Sequence, residues 1–244
     1  MLELLQRNIG IIADGGSDYT IIRHIVESIL SGNYSSPSEL EFVELRRQSI
    51  RDSVDRYWRD SKTDPALPSQ AAIKFRNNVL SVLLTAVDEF SNELDSGTLT
   101  NKDILLLTSD AERCLSSETD YLEGYGFHLL ATLESAIAKF YQLKVSQGFT
   151  YEYLPLILPL IFFPSTEIFV AAAKSKMSQS QGKKPRELKM MLYGTDNLQQ
   201  VSEEDLNKKA LDYLNEGGIQ KIYQNLPESR GLIQTLSTLN PIEL

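Results

Sequence analysis

Two apolar runs in this chain stop abruptly in carboxylates. IGIIADGGSD at 9–18 reaches Asp14 and then Asp18, and ILLLTSDAER at 104–113 reaches Asp110 and Glu112. Acids at the carboxyl ends of buried strands stand in the crevice where open α/β sheets bind ligands. Hard divalent cations require oxygen ligands, and magnesium takes one or two carboxylates together with water and substrate phosphate. Asp14, Asp110 and Glu112 are therefore candidate ligands for Mg or Mn, and the chemistry such a set supports is phosphodiester hydrolysis. The loop that follows the strand lets both Asp110 and Glu112, two residues apart, reach one ion. Gly15 and Gly16 let a backbone approach a phosphate, and Ser17 heads a helix whose first amides point at it.

The elements that must carry these residues follow from periodicity. Residues 8–13 read as a strand, and 17–30 as a helix with Ser17 as N-cap and Ile21, Ile22, Ile25, Val26 and Ile29 on one face. Residues 40–45 alternate as a strand with one exposed face, which completes a β-α-β opening. The Arg- and Asp-rich stretch 46–68 reads as a solvated helical insertion. A helical period then runs from 69 to about 95 through Ala72, Phe75, Val79, Val82, Leu83, Ala86, Val87 and Phe90. Residues 103–108 form a near-continuous apolar strand of the kind buried on both faces of a parallel sheet. After a loop at 114–128 come a helix over 129–145 and a strand over 153–163. Pro155 and Pro159 mark that strand as an edge or bulged one. A helix starts near Ser165, with Glu167 in its first turn, and residues 202–239 read as short helices.

These elements specify an α/β fold with a Rossmann-like core. The expected core is a mainly parallel sheet of about four strands flanked by helices, with a helical C-terminal extension. Residues 1–175 are assigned to the core, with the insertion near 46–68, and 176–244 to the extension. The chain of 244 residues is 42% apolar and carries a net charge of -9, so it does not wrap nucleic acid by bulk electrostatics. A local basic patch is required instead. Lys174, Lys176, Lys183, Lys184, Arg186 and Lys189 provide one, with Glu187 the only acid among them. The single cysteine, Cys114, makes no intramolecular disulfide and fits a reducing cytoplasm. The N-terminal MLELLQRN lacks a basic region, and the most apolar stretch, 154–163, is too short to span a bilayer.

The paired motifs resemble the Toprim domain, in which a first strand ends in hydrophobic-E-G-x-x-D and a later one in D-x-D. IIADGGSD is similar to the first, with Asp14 at the glutamate, Gly15 at the glycine and Asp18 at the trailing acid. TSDAER is similar to the second, with Asp110 and Glu112 at its acids. The resemblance covers roughly residues 8–175. It is nearest to small stand-alone bacterial proteins related to the Toprim part of overcoming-lysogenisation-defect nucleases, where a glutamate-bearing helix follows a later strand. LIFFPSTEIFVAAA with Glu167 looks like that segment, and GKKPRELKMML at 182–192 like the basic element after it. The resemblance implies a Mg- or Mn-dependent nuclease. In it Asp110, Glu112 and Glu167 would hold metal, with Asp14 as second ligand or general acid/base. Arg113, Lys183 and Lys184 would meet phosphate. Asp14 and Glu112 each shift a carboxylate by one methylene from the family pattern, and a misplacement of about an ångström costs on the order of a hundredfold in rate.

Two other readings follow from the same residues. A Toprim-like fold with a degenerate site would serve as a binding module, for example beside an ATPase in a bacterial defence pair. A Rossmann nucleotide cradle at Gly15–Gly16 lacks the G-x-G-x-x-G spacing. His24 reads as a packed or surface residue of the first helix, and Trp58 as an anchor of the insertion. Arg46, Arg47, Arg51, Arg56 and Arg59 interleave with Asp52, Asp55 and Asp60 as a self-paired surface helix.

Overall fold

The structure is a computed structural model that describes residues 7–13, 15–31, 40–46, 50, 53–54, 56–57, 70–110, 125–162 and 164–239. Asp14, Glu112, Arg113, Cys114, Trp58 and most of the 46–68 insertion lie outside the described residues. In chain order the regular elements are β1 (Arg7–Ala13), α1 (Gly16–Leu30), β2 (Leu40–Arg46), α2 (Gln70–Glu93), β3 (Ile104–Asp110) and α3 (Tyr125–Ser146). They continue with β4 (Leu156–Phe162), α4 (Glu167–Ala173), α5 (Met177–Ser180), α6 (Pro185–Tyr193), α7 (Glu203–Asn225) and α8 (Arg230–Ser237). The fold is α/β, with a four-stranded parallel sheet of order β2-β1-β3-β4 flanked by helices and a helical C-terminal region. The chain divides into two compact units, one with residues 7–15 and 41–162, the other with 1–6, 16–40 and 163–244.

The first unit holds the sheet. Ile9, Ile11 and Ile12 of β1 and Leu105 and Leu106 of β3 are fully buried, as a strand covered on both faces requires. Gly10 is the exception that lets a helix close on the sheet: a Cβ there would lie 3.0 Å from the Phe90 ring of α2 and 3.1 Å from Leu105. Phe75, Phe90 and Phe140 are the largest fully buried side chains, each stabilising the fold by roughly 1.5–3 kcal/mol. The stripe on α2 is the expected one except at its start, where Ala71 rather than Ala72 is buried. The insertion also departs from its solvated composition: Ile50 and Val54 are each 1% exposed, and Tyr57 stacks on Phe75 at 5.1 Å.

A carboxylate fastens the amino ends of β1 and β3. Asp103, buried just before β3, accepts from the Asn8 backbone N–H at 3.1 Å and the Asn8 carboxamide at 2.9 Å. Its other oxygen accepts from the Thr100 N–H at 2.7 Å and hydroxyl at 3.0 Å. These donors satisfy a buried acid that would otherwise cost several kcal/mol.

β4 is an edge strand, as its prolines require, and its register with β3 runs unbroken from Leu156 to Phe162, so there is no bulge. Leu156 donates toward β3, to the Asp103 carbonyl, so alternation sends the next outward position, Ile157, and then Pro159 to the free edge. Pro159 has no N–H there, and the Ile157 N–H is taken by the Tyr141 hydroxyl at 3.0 Å. The same hydroxyl donates to the Pro155 carbonyl at 2.8 Å. Two of the edge positions are thereby closed to strand addition. Burial raises the Tyr141 pKa, while the Ile157 N–H opposes that shift.

The second unit is helical. α1 buries the isoleucine and valine face expected of it, and every residue of α4 is buried. α7 crosses α4 at backbone contact: a Cβ on Gly217 would fall 2.5 Å from the Ala173 carbonyl oxygen, so only glycine fits. Gly194 ends α6 in the left-handed region, its N–H closing on the Met190 carbonyl at 3.0 Å. Among the described residues no helix is long and apolar enough to cross a membrane.

Candidate metal and phosphate site

The strand ends come together where the sheet changes direction. β1 and β3 are neighbours in parallel register, with Ile12 opposite Leu107. From β1 the chain proceeds to β2 on one side, and from β3 to β4 on the other, so the gap between β1 and β3 is the topological switch point. At that end the Thr108 hydroxyl donates to the Ile12 carbonyl, joining the two strands through a buried side chain. Asp110 is the last residue of β3 and is half-buried. Asp14 follows Ala13 in the chain, and Glu112 follows Asp110 by two; both lie outside the described residues, as does Arg113. Among the described residues no group of three or more His, Cys, Asp or Glu is placed to hold a metal ion.

In the helical unit a second polar cluster joins the starts of α1 and α4. Glu167 is 1% exposed and both its oxygens are engaged. Oε2 accepts from the Ser165 hydroxyl at 2.6 Å, and Oε1 meets Lys189 Nζ of α6 at 3.1 Å. The adjacent Thr166 hydroxyl bonds Asp18 Oδ1, which ties the trailing acid of the first motif to the segment that carries Glu167. Tyr193, nearly buried, completes the cluster. Burial first, then the charges of Glu167, Asp18 and Tyr213, hold its phenol far above its usual range, so it remains a neutral donor. Lys189 lends the cluster a partly exposed ammonium, chemically suited to an anion.

The periodicity contained a signal for the Lys189 pairing that composition alone hides. Leu188 and Leu192, with Tyr193, form the buried stripe of α6, and Lys189 lies within that stripe. From that position the lysine reaches an acid of another helix, Glu167 of α4. No local pattern identifies that acid in advance.

The residues expected from the sequence to meet phosphate divide into two groups. α1 opens at Gly16, so Ser17 lies inside the first turn and is not the N-cap. Its hydroxyl donates to Glu203 Oε1 at 3.2 Å, and a Cβ on Gly16 would lie 2.9 Å from the same oxygen. The first turn of α1 therefore already has an anion of the chain beside it. The basic segment is differently arranged. Glu187, its single acid, accepts from the Lys184 backbone N–H at 3.1 Å and so caps its own helix instead of neutralising a lysine. Lys184 and Arg186 are exposed and Lys183 half-exposed, and none of them forms an ion pair among the described residues. Lys174 stacks over the Tyr213 ring at 3.2 Å. His24 is half-buried on α1, and the side chain of His128 lies outside the described residues.

Neither a scan against models of protein families nor searches of curated proteins and of solved structures finds a match for the chain.

Proposed function

We propose that the chain is a Toprim-like protein that hydrolyses phosphodiesters with Mg or Mn held by Asp14, Asp110 and Glu112. The observation that carries this reading is the parallel pairing of β1 with β3 at the switch point, since the chain leaves those two strands directly into the two acidic motifs. The metal would polarise the phosphate and supply a hydroxide nucleophile. Asp110 and Glu112 act as ligands, and Asp14 as second ligand or general acid/base. In this reading Glu167 is the partner that fixes Lys189, with its role as a further metal ligand open to the same titration. Lys183, Lys184 and Arg186 guide a nucleic-acid backbone, and Gly15, Gly16 and Ser17 accept a phosphate once Glu203 has moved aside. A reducing cytoplasm suits the single cysteine.

The second reading is a degenerate Toprim-like module that binds a partner such as an ATPase. The carboxylate of Glu203 beside the first turn of α1 favours it, because an internal anion competes with phosphate there. Calorimetric titration of Mg and Mn into the wild type and Asp110→Ala, with cleavage of plasmid and single-stranded substrates alongside, separates the two. Binding and metal-dependent cleavage that both vanish in Asp110→Ala are the expected result. Metal binding without cleavage selects the degenerate module, and wild type that binds neither ion defeats the metal site itself.

A further inference from the structure

α7 is interrupted at Gly218, whose backbone (φ 69°, ψ 164°) departs from helical values. The preceding Gly217 is accounted for by its contact with Ala173. Packing does not account for Gly218, because a Cβ there would meet nothing within 4 Å. Gly218 instead lines a cleft of about 130 Å³ between α1 and α7. Breaks inside helices are costly and gather at functional sites. Here the break opens a space.

From the volume and lining chemistry of this cleft we infer that it binds an uncharged, flat heteroaromatic ring of nucleobase or indole size. The floor is apolar: Ile25, Leu214 and Ile222 line it and are all at most 2% exposed. The rim carries the His24 imidazole and the Asn215 carboxamide, and neither side chain hydrogen-bonds among the described residues. Together they offer both donors and acceptors to the edge of a ring. At about 130 Å³ the cleft is somewhat smaller than the apolar cavity of about 150 Å³ that takes up benzene, so it holds one ring of a fused pair and leaves the other at its open mouth. Apart from the imidazole, no residue lining the cleft is acidic or basic. A charged ligand would lose its hydration without gaining a counter-ion. Burial lowers the His24 pKa, so the ring meets a neutral imidazole. The site is independent of the proposed metal chemistry and stands or falls separately.

The test is titration of adenine, indole, adenosine monophosphate and cyclohexanol into the full chain, followed by calorimetry and by the His24 imidazole resonances. Adenine and indole should saturate in the range of about 0.1–1 mM, as expected for ligands of roughly ten heavy atoms. Adenosine monophosphate binding as well as adenine identifies a nucleotide base as the occupant, and weaker binding identifies a free ring; both support the site. Asn215 is exposed, so Asn215→Ala should leave the fold intact while weakening adenine about tenfold and indole hardly at all. Ile219→Trp, which fills the cleft, should abolish both. No saturation below about 5 mM, cyclohexanol binding as tightly as the rings, or an unchanged adenine affinity in Asn215→Ala would overturn the assignment.

Discussion

Thr108 in β3 donates its hydroxyl to the backbone carbonyl of Ile12 in β1, at the carboxyl end of the sheet. The two positions are separated by 96 residues in sequence, and the bond is buried. It adds a side-chain link to the ladder two residues before each acid, Asp14 and Asp110, in the sequence. Replacing Thr108 with Val keeps the shape and removes the donor, so the Ile12 carbonyl loses that partner. A loss of about 1–2 kcal/mol in unfolding free energy is expected, with an unchanged denaturant slope. Thr108→Ser, which restores the hydroxyl, should recover part of it. Urea titrations of the three proteins decide the matter; equal midpoints for wild type and Thr108→Val would show that the bond contributes nothing.

Glu167 and Lys189 make a pair with unequal surroundings. The carboxylate is 1% exposed and the lysine side chain 31%, so solvent screens only one partner. Lys189→Met should cost about 2–3 kcal/mol, less than a wholly buried pair, because it leaves a buried charge with only the Ser165 hydroxyl. Glu167→Gln should be cheaper, since the lysine can reach water. The double variant should lose less than the sum of the two single losses, by at least about 1 kcal/mol, the coupling expected of residues in contact. Additive losses in thermal or urea unfolding would show that the two groups do not interact, and would release Glu167 for a ligand.

The sheet was legible in the sequence because its strands are short apolar runs whose burial needs no distant partner to be recognised. β1, β3 and the edge position of β4 follow from IGIIA, ILLLT and the two prolines, and the α2 stripe from its period. The start of α2 escaped by one residue, because Ala71 and Ala72 are equivalent in propensity and only packing chooses between them. The helical insertion misled through its charge, since Ile50 and Val54 are too few to set a period yet are buried. Ser17 has the chemistry of a cap, but Gly16 starts the helix and the hydroxyl turns to Glu203, 186 residues away. The same holds for Thr166 with Asp18 and for Lys189 with Glu167. Such pairings depend on how the helices pack, and local spacing carries no record of them.

His24 gives the chain a stability that depends on mild acid. Burial lowers its folded-state pKa from 6.5, and the nearby Glu27 offsets part of that shift by favouring the charged ring. The unfolded chain, with a pKa near the ordinary value, therefore binds a proton more readily than the folded one. By linkage, the contribution of His24 to stability is fully present above pH 6.5 and is lost as pH falls through the folded-state pKa. Urea midpoints measured between about pH 7.5 and 5 should fall more steeply for wild type than for His24→Gln, which has no proton to bind. Carboxylates that titrate in the same range are common to both proteins and cancel in the difference. Parallel profiles would mean that folding leaves the proton affinity of the imidazole unchanged, and a steeper fall in His24→Gln that folding favours the charged ring; either result would refute the shift.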